Sequence, residues 1–275
     1  SQPVGRRVDQ AEGSDSRRVV EHRAVSSVQS PSASANIVET YLKLGLATPD
    51  ARCWQAPGFR ACVGDFEHPI CNFAIDLKLG RDSVANLRDL ALSSPSFCVY
   101  HISGDLPAEI PDLLESVGFR LSHILTIMVT NPATEGTPLS MALAKAVVDR
   151  RRVADFMSEQ FFPGQNKLFK SRVAETTTRA DSLELLFARS EGRISAASMV
   201  SDAAGMYGIY NVCVEKSLRG QGRGSAVMKE LLERASLSGK PAVLQCSPML
   251  APWYRRLGFQ QAGSVSIYSL FRGRR

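Results

Sequence analysis

Between residues 211 and 225 the chain reads Asn-Val-Cys-Val-Glu-Lys-Ser-Leu-Arg-Gly-Gln-Gly-Arg-Gly-Ser. An apolar, strand-like run ends at Val214, and a helix-forming run extends from Ser225 to Leu237. Between them stands Arg219-Gly220-Gln221-Gly222-Arg223-Gly224. A strand, a glycine turn and a helix N-terminus together make an anion site. Backbone N–H groups point out of the turn, and the helix dipole adds partial positive charge. Glycine carries no Cβ, so the backbone can come close to a phosphate. The chemistry these residues suit is the holding of a phosphate-bearing ligand.

The spacing selects among phosphate loops. A P-loop ends in Gly-Lys-Ser/Thr, whereas Gly224 is followed directly by Ser225. The dinucleotide fingerprint G-x-G-x-x-G would need a third glycine where Ser225 or Val227 stands. RNA-binding Arg/Gly elements belong to repetitive, disordered tracts, and this loop lies between two apolar segments. What fits is Q/R-x-x-G-x-G/A, on Arg219, Gly222 and Gly224. That pattern resembles the coenzyme A pyrophosphate loop of the GNAT superfamily of N-acetyltransferases. The resemblance implies acetyl-CoA as acyl donor. Its diphosphate would lie on Gly220, Gln221, Gly222, Arg223, Gly224 and Ser225, with Arg219 at the head of the loop. Its pantetheine arm would pair with the backbone of Val212, Cys213 and Val214. Ser247 stands where many members carry Asn near that arm.

A second signal follows about thirty residues on. Ala242 to Cys246 reads as a short buried strand, Ser247-Pro248 breaks it, and Trp253-Tyr254-Arg255-Arg256-Leu257-Gly258-Phe259 comes next. GNAT members have a strand, a short Tyr-bearing helix and a closing Leu-Gly-Phe in this place. The resemblance implies that Tyr254 lies beside the thioester sulfur. A phenol with a pKa near ~10 is protonated at neutral pH and can donate to a departing thiolate. A tyrosine on a short amphipathic helix can equally be a packing residue.

No general base is legible. His22, His68, His101 and His123 all precede residue 133, and no carboxylate lies between Asp202 and Glu215. A water, a backbone carbonyl, Tyr207, Tyr210 or a residue of the first half remain as candidates, and Asn211 could orient an amine or a water.

These groups need a scaffold. Leu139–Val147 reads as a strand, and Asp149 as the cap of a helix reaching Phe161. Leu168–Thr177 reads as a second helix. Leu183–Ala188 and Ile194–Val200 read as a hairpin across Ser190-Glu191-Gly192, and Tyr207–Val214 as the strand feeding the glycine loop. With the later helix, strand, helix and final strand Ser264–Leu270, the order is β-α-α-β-β-β-α-β-α-β, which is the GNAT order. The first half predicts helices at 36–46, 83–92 and 111–117 and strands at 59–63, 70–77, 97–102 and 121–129. Leu113-Leu114-Glu115-Ser116-Val117-Gly118-Phe119 echoes 253–259, with Leu114 at the place of Tyr254. Only Leu79-Gly80-Arg81-Asp82 precedes the matching helix, so the first half resembles a degenerate GNAT lobe without its cofactor loop.

The expected fold is therefore α/β (α+β by some schemes): a GNAT-type mixed, mostly antiparallel sheet flanked by helices and duplicated. Residues 1–35 read as a flexible or peripheral segment, with Val19, Val20 and Val25 able to pack locally. Residues 36–132 read as the degenerate lobe walling the substrate, and 133–275 as the catalytic domain. The expected function is N-acetyl transfer to an amine acceptor, small or peptide-borne, by direct attack. The alternative is a non-catalytic acyl-CoA-sensing or partner-binding protein.

Composition bounds the partners. The 275 residues are 44% hydrophobic, and no apolar run nears the ~18 residues of a membrane span. No signal-peptide pattern is present. The six cysteines show neither C-x-x-C pairs nor histidines at metal spacing, which predicts reduced core thiols, no metal and a cytoplasmic protein. Residues 36–132 carry seven Lys/Arg and eleven Asp/Glu, a net of −4, and residues 133–275 carry twenty-one and twelve, a net of +9. The basic half suits polyanionic coenzyme A, and the acidic half could attract a cationic amine. No nucleic-acid motif accompanies the basic charge. A homodimer is compatible with the resemblance.

Overall fold

The computed structural model describes residues 29–271. Val19, Val20 and Val25 lie outside them. Helix α1 (Gln29–Ala47) comes first, followed by the hairpin β1 (Arg52–Ala56) and β2 (Phe59–Val63), then β3 (Phe73–Ile75). Next are α2 (Arg81–Ser93), β4 (Cys98–Ile102), α3 (Ile110–Ser116) and the long β5 (Phe119–Thr130). The second half runs β6 (Ala142–Leu143), α4 (Val147–Phe161), α5 (Lys167–Arg179), β7 (Glu184–Ser190), β8 (Arg193–Ala203) and β9 (Met206–Val214). It closes with α6 (Arg223–Leu237), β10 (Ala242–Cys246), α7 (Ala251–Arg256) and β11 (Gln260–Leu270). The observed order is the expected one with β1, which the sequence reading does not predict, added before β2.

Local chemistry explains the boundaries. Asn166 caps α5 by accepting from the Phe169 amide at 2.9 Å. Glu191-Gly192 and Ala204-Gly205 turn the β7–β8 and β8–β9 hairpins with both residues of each pair at positive φ, as tight two-residue hairpins require. Gly118 and Gly258 end α3 and α7 at φ 99° and 90°, so the echo between 113–119 and 253–259 is also an echo of backbone geometry.

Three expectations need correction. The strand over 139–147 shrinks to Ala142–Leu143. Glu230 of α6 explains it: its carboxylate accepts the Ser140 and Met141 amides and the Ser140 hydroxyl, holding this stretch against the helix. Asp149 is not the cap of α4, which opens at Val147 behind Ala146; Asp149 sits in the first turn, where a negative charge suits the dipole. Helix α1 starts before the expected boundary at residue 36, and Ala33 is fully buried.

The strands form one sheet in the order β1-β2-β3-β4-β11-β5-β10-β9-β8-β7-β6. At its centre β5 and β11 run antiparallel from Phe119↔Leu270 to Val129↔Gln260. To one side β4 is antiparallel to β11 and parallel to β3; to the other, β10 is antiparallel to β5 and parallel to β9. The arrangement repeats about the β5–β11 centre, and each half inserts its last strand into the other. Apolar residues of α1 and α4 pack on one sheet face, and those of α2, α3, α6 and α7 on the other.

The cross-strand pair Cys53↔Cys62 brings two Cα atoms to 4.0 Å, and these cysteines form a disulfide. The expectation of reduced thiols fails there, while Cys71, Cys98, Cys213 and Cys246 are free. No described helix is long and apolar enough to cross a membrane.

Helix α1 belongs to both halves through Asn36. Its amide donates to the carbonyls of Ser201 and Ala203, both at 3.0 Å, and of Met206 at 3.3 Å, while its oxygen accepts the Tyr210 hydroxyl at 2.7 Å. Gly208 lies beneath. A Cβ there would overlap Asn36 Oδ1 and stand 2.6 Å from Tyr210 Cε2. We expect Gly208→Ala to cost about 3 kcal/mol in urea unfolding; a loss below about 1 kcal/mol would mean that α1 moves aside freely.

Candidate active site

Parallel pairing of β9 with β10 stops at Ile209↔Leu244. Both strands continue, β9 to Val214 and β10 to Cys246, and β10 stays paired with β5 as far as Cys246↔Thr126. The sheet therefore parts between Tyr210–Val214 and Gln245–Cys246. On its other edge β9 shifts register against β8, between Met199↔Tyr210 and Ala197↔Cys213. The extra residues include Asn211 at φ 50°, a left-handed conformation that Asn tolerates better than most side chains.

The parted strands open onto the glycine turn. Gly220 and Gly222 have φ of 77° and 76°, and a Cβ on either would meet nothing within 4 Å, so their backbone faces open space. Gly222 is the residue before α6, whose free amides therefore point toward the turn. A cleft of about 550 Å³ lies here, lined by Val212, Cys213, Val214, Arg219, Gly220, Gly224, Trp253 and Tyr254, with Gln160, Phe161 and Leu250. Of the residues assigned from sequence, the cleft lining thus brings together seven: Val212, Cys213, Val214, Arg219, Gly220, Gly224 and Tyr254. Gln221 is exposed and turns its amide onto the Ser217 carbonyl at 3.1 Å; Arg223 is exposed at the first turn of α6; Ser225 and Ser247 lie outside the lining. The Arg219 guanidinium braces the loop, donating to the Val214 carbonyl at 3.0 Å and to Gln160 at 3.2 Å.

Tyr254 forms the opposite lip. Its ring packs against Trp253 and Phe259 with centroids 4.6 and 5.7 Å apart. Burial, with the nearby Cys246 adding, pushes its phenol up to about 12, so it carries its proton across the neutral range. Burial also pushes the Cys213 thiol up to about 12, which leaves it without nucleophilic character.

Beyond the Asn211 bulge lies a second cavity of about 290 Å³. Phe161 lines both spaces. Tyr41, His68, Phe73 and Tyr100 come to this cavity from the first half, and Met157, Phe162 and Asn211 from the second. The sequence reading missed these first-half residues, because nothing local marks them: they meet only where α1 packs on β8, β9 and α5 and where the β2–β3 segment meets Phe162 and Phe169. No Asp or Glu lines this cavity. Tyr207 and Tyr210 are both buried with their phenols pushed up by desolvation, and Tyr210 spends its hydroxyl on Asn36, which removes both as bases. His68 is pushed down to about 4 by burial, and its Nδ1 accepts the Ile70 amide at 3.0 Å. It is therefore neutral with its proton on Nε2, a donor and not a base.

The equivalent place in the first half is closed. After Phe73↔Cys98 and Ala74↔Val99, the chain beyond β3 bonds to the segment after β4: the Leu79 amide to the Leu106 carbonyl at 3.0 Å, and the Leu106 amide to the Leu77 carbonyl at 3.2 Å. Protein backbone occupies the gap that stays open in the second half. Leu114, which stands for Tyr254, is fully buried.

Residues 152–268 match the family model of the acetyltransferase (GNAT) domain. No curated protein matches the sequence. Among solved structures, a GCN5-related N-acetyltransferase from Kribbella flavida superposes with a TM-score of 0.61 at 13% identity, over 87% of this chain and 96% of that one. A tandem GNAT protein from the clavulanic acid biosynthesis pathway gives 0.55 at 16% identity, over 90% and 95%. A GNAT-family protein from Novosphingobium aromaticivorans, described as a putative acetyltransferase, gives 0.54 at 15% identity, over 80% and 92%. At these identities the likeness is one of fold, and it runs through both halves. Residues 152–268 thus match the GNAT acetyltransferase domain model, and the described chain has the fold of GNAT proteins.

Proposed function

We propose that the chain transfers an acetyl group from acetyl-CoA to an amine by direct attack. The observation that carries this reading is the parting of β9 from β10 beside an open glycine turn at the start of α6, with a protonated tyrosine on the far lip. The diphosphate would take the amides of Gly220 to Ser225, and the pantetheine arm would run along Val212 to Val214. The amine nitrogen would form its bond to the acetyl carbon next to the Asn211 bulge, where a backbone N–H can stabilise the oxyanion. As the C–S bond breaks, its electron pair passes to sulfur, which leaves as a thiolate hydrogen-bonded by the Tyr254 hydroxyl; the proton lost by the amine goes to solvent.

The same reading makes residues 133–275 the catalytic half and residues 36–132 a half that binds no donor, because 104–107 fill its gap. Calorimetric titration of the full chain should give one acetyl-CoA per chain. Gly224 is the position to change, since it lines the cleft without a positive φ, and its Cβ would point toward Trp253 at 4.0 Å. Gly224→Val should weaken acetyl-CoA binding by about tenfold or more, equivalent to about 1.4 kcal/mol, with an unchanged circular dichroism spectrum. Undiminished affinity would refute the cleft assignment, and two acetyl-CoA per chain would refute the assignment of halves.

A further inference from the structure

The cavity beyond the bulge has a chemical character of its own. Its walls are built from aromatic rings: Tyr41 and Tyr100 stand edge to face with centroids 4.8 Å apart, Phe73 packs on both, and His68 and Phe162 meet edge to face at 5.5 Å. None of the lining residues is Asp, Glu, Lys or Arg. Its titratable members are uncharged at neutral pH, because burial raises the Tyr41 and Tyr100 phenols and lowers the His68 imidazole. At about 290 Å³ it has roughly twice the ~150 Å³ of a cavity that takes benzene. It is also next to the proposed acyl position, since Phe161 borders both spaces and Asn211 precedes Val212 on the same strand.

Such walls disfavour a polyamine. A ring face can attract one ammonium, but several would lose water with no carboxylate to meet them. A flat apolar body gains instead from burial against ring faces and edges. We propose that the acetyl acceptor is an amine carried on an aromatic body of one or two rings. The rings lie among Tyr41, His68, Phe73, Tyr100 and Phe162, and the nitrogen lies at Asn211 facing the donor cleft. This rests on the acetyl-transfer reading above. It also accounts for the absence of a carboxylate base: an uncompensated apolar site favours the neutral amine, so the nitrogen arrives with its lone pair free.

The test uses the full chain with saturating acetyl-CoA, following free thiol. The acceptors are tryptamine, 2-phenylethylamine, putrescine and spermidine. The aromatic amines should show kcat/KM at least about tenfold above the polyamines. Ala154 lines the cavity and is buried. Ala154→Leu should reduce tryptamine turnover more than acetyl-CoA affinity, and Phe162→Ala, at a half-buried rim position, should shift preference toward the larger ring. Because either variant could unfold, each is read beside its own acetyl-CoA titration. Acetylation of polyamines in preference to aromatic amines would overturn the proposal while leaving the transferase reading standing. If no amine is acetylated, yet calorimetry shows tryptamine binding that Ala154→Leu abolishes, the pocket assignment holds and the transferase reading falls. Tryptamine binding that neither variant changes would overturn the pocket assignment.

Discussion

Tyr254→Phe should lower kcat by about a hundredfold, at the low end of the ~10² to 10⁴ that a positioned general acid contributes. The substitution keeps the ring, so the contacts with Trp253 and Phe259 and the wall of the cleft stay in place. Acetyl-CoA affinity should change little, so that kcat and kcat/KM fall together, the signature of an interaction made in the transition state. The low end follows from the environment. Burial holds the phenol at about 12, while a thiol titrates near ~8.5. Complete proton transfer to the thiolate is therefore uphill, and the hydroxyl acts chiefly by hydrogen bonding to charge growing on sulfur. The same burial places the titration of Tyr254 above the ordinary assay range. Any alkaline limb in the parent profile should thus come from another group and persist in the variant. Turnover within a factor of about two of the parent on a saturating amine would return Tyr254 to a packing role.

The glycine turn was legible because its signal is local. A glycine turn between a strand and a helix needs only consecutive residues to declare itself, and Gly220, Gly222 and Gly224 sit where the spacing placed them, facing open space or the cleft. The Gly-Phe echo was legible for the same reason, since Gly118 and Gly258 each terminate a short helix within one stretch of chain. What sequence could not show depends on distant segments. No periodicity in β11 says that it pairs with β4 and β5 and exchanges places with β5 between the halves. His68 and Asn211 share a cavity only because the segment joining β2 to β3 packs against Phe162 and Phe169 of the second half, and Cys53 meets Cys62 only through the register of a hairpin. The acidic excess of the first half does not say which side chains line a pocket, because net charge counts surface residues, whereas a pocket is lined by the few that packing turns inward. Ser247 lies outside the cleft lining, whereas Arg219 lines it and braces the loop through Val214 and Gln160.

The largest stability effect should come from Arg150, a residue with no sequence signature. It is 7% exposed, and its guanidinium donates to four carbonyls: Thr178 and Leu183 at 2.9 Å, Ala180 at 2.7 Å and Thr177 at 3.3 Å. Three of these close the end of α5, where carbonyls have no helical partner and a cation is favoured by the dipole. The fourth opens β7, so one side chain from the first turn of α4 fastens two helices and a strand. Arg150→Met keeps much of the aliphatic stem and leaves all four carbonyls without that donor. Charge-assisted bonds of this kind and the penalty for buried groups left unpaired together suggest a loss of about 3–5 kcal/mol in urea unfolding. Arg150→Lys should recover only part, because a point ammonium cannot replace a planar fork with donors spread across it. The consequence reaches the site, since α4 carries Met157 and Phe161, and α5 carries Val173 and Thr177, to the acceptor cavity. In the Arg150→Lys variant, assayed where it remains folded, KM for the amine should therefore rise while the acetyl-CoA dissociation constant stays near the parent value. A loss below about 1 kcal/mol in Arg150→Met would show that water replaces the guanidinium at the end of α5, and that the α4–α5 pair is held by its apolar face alone.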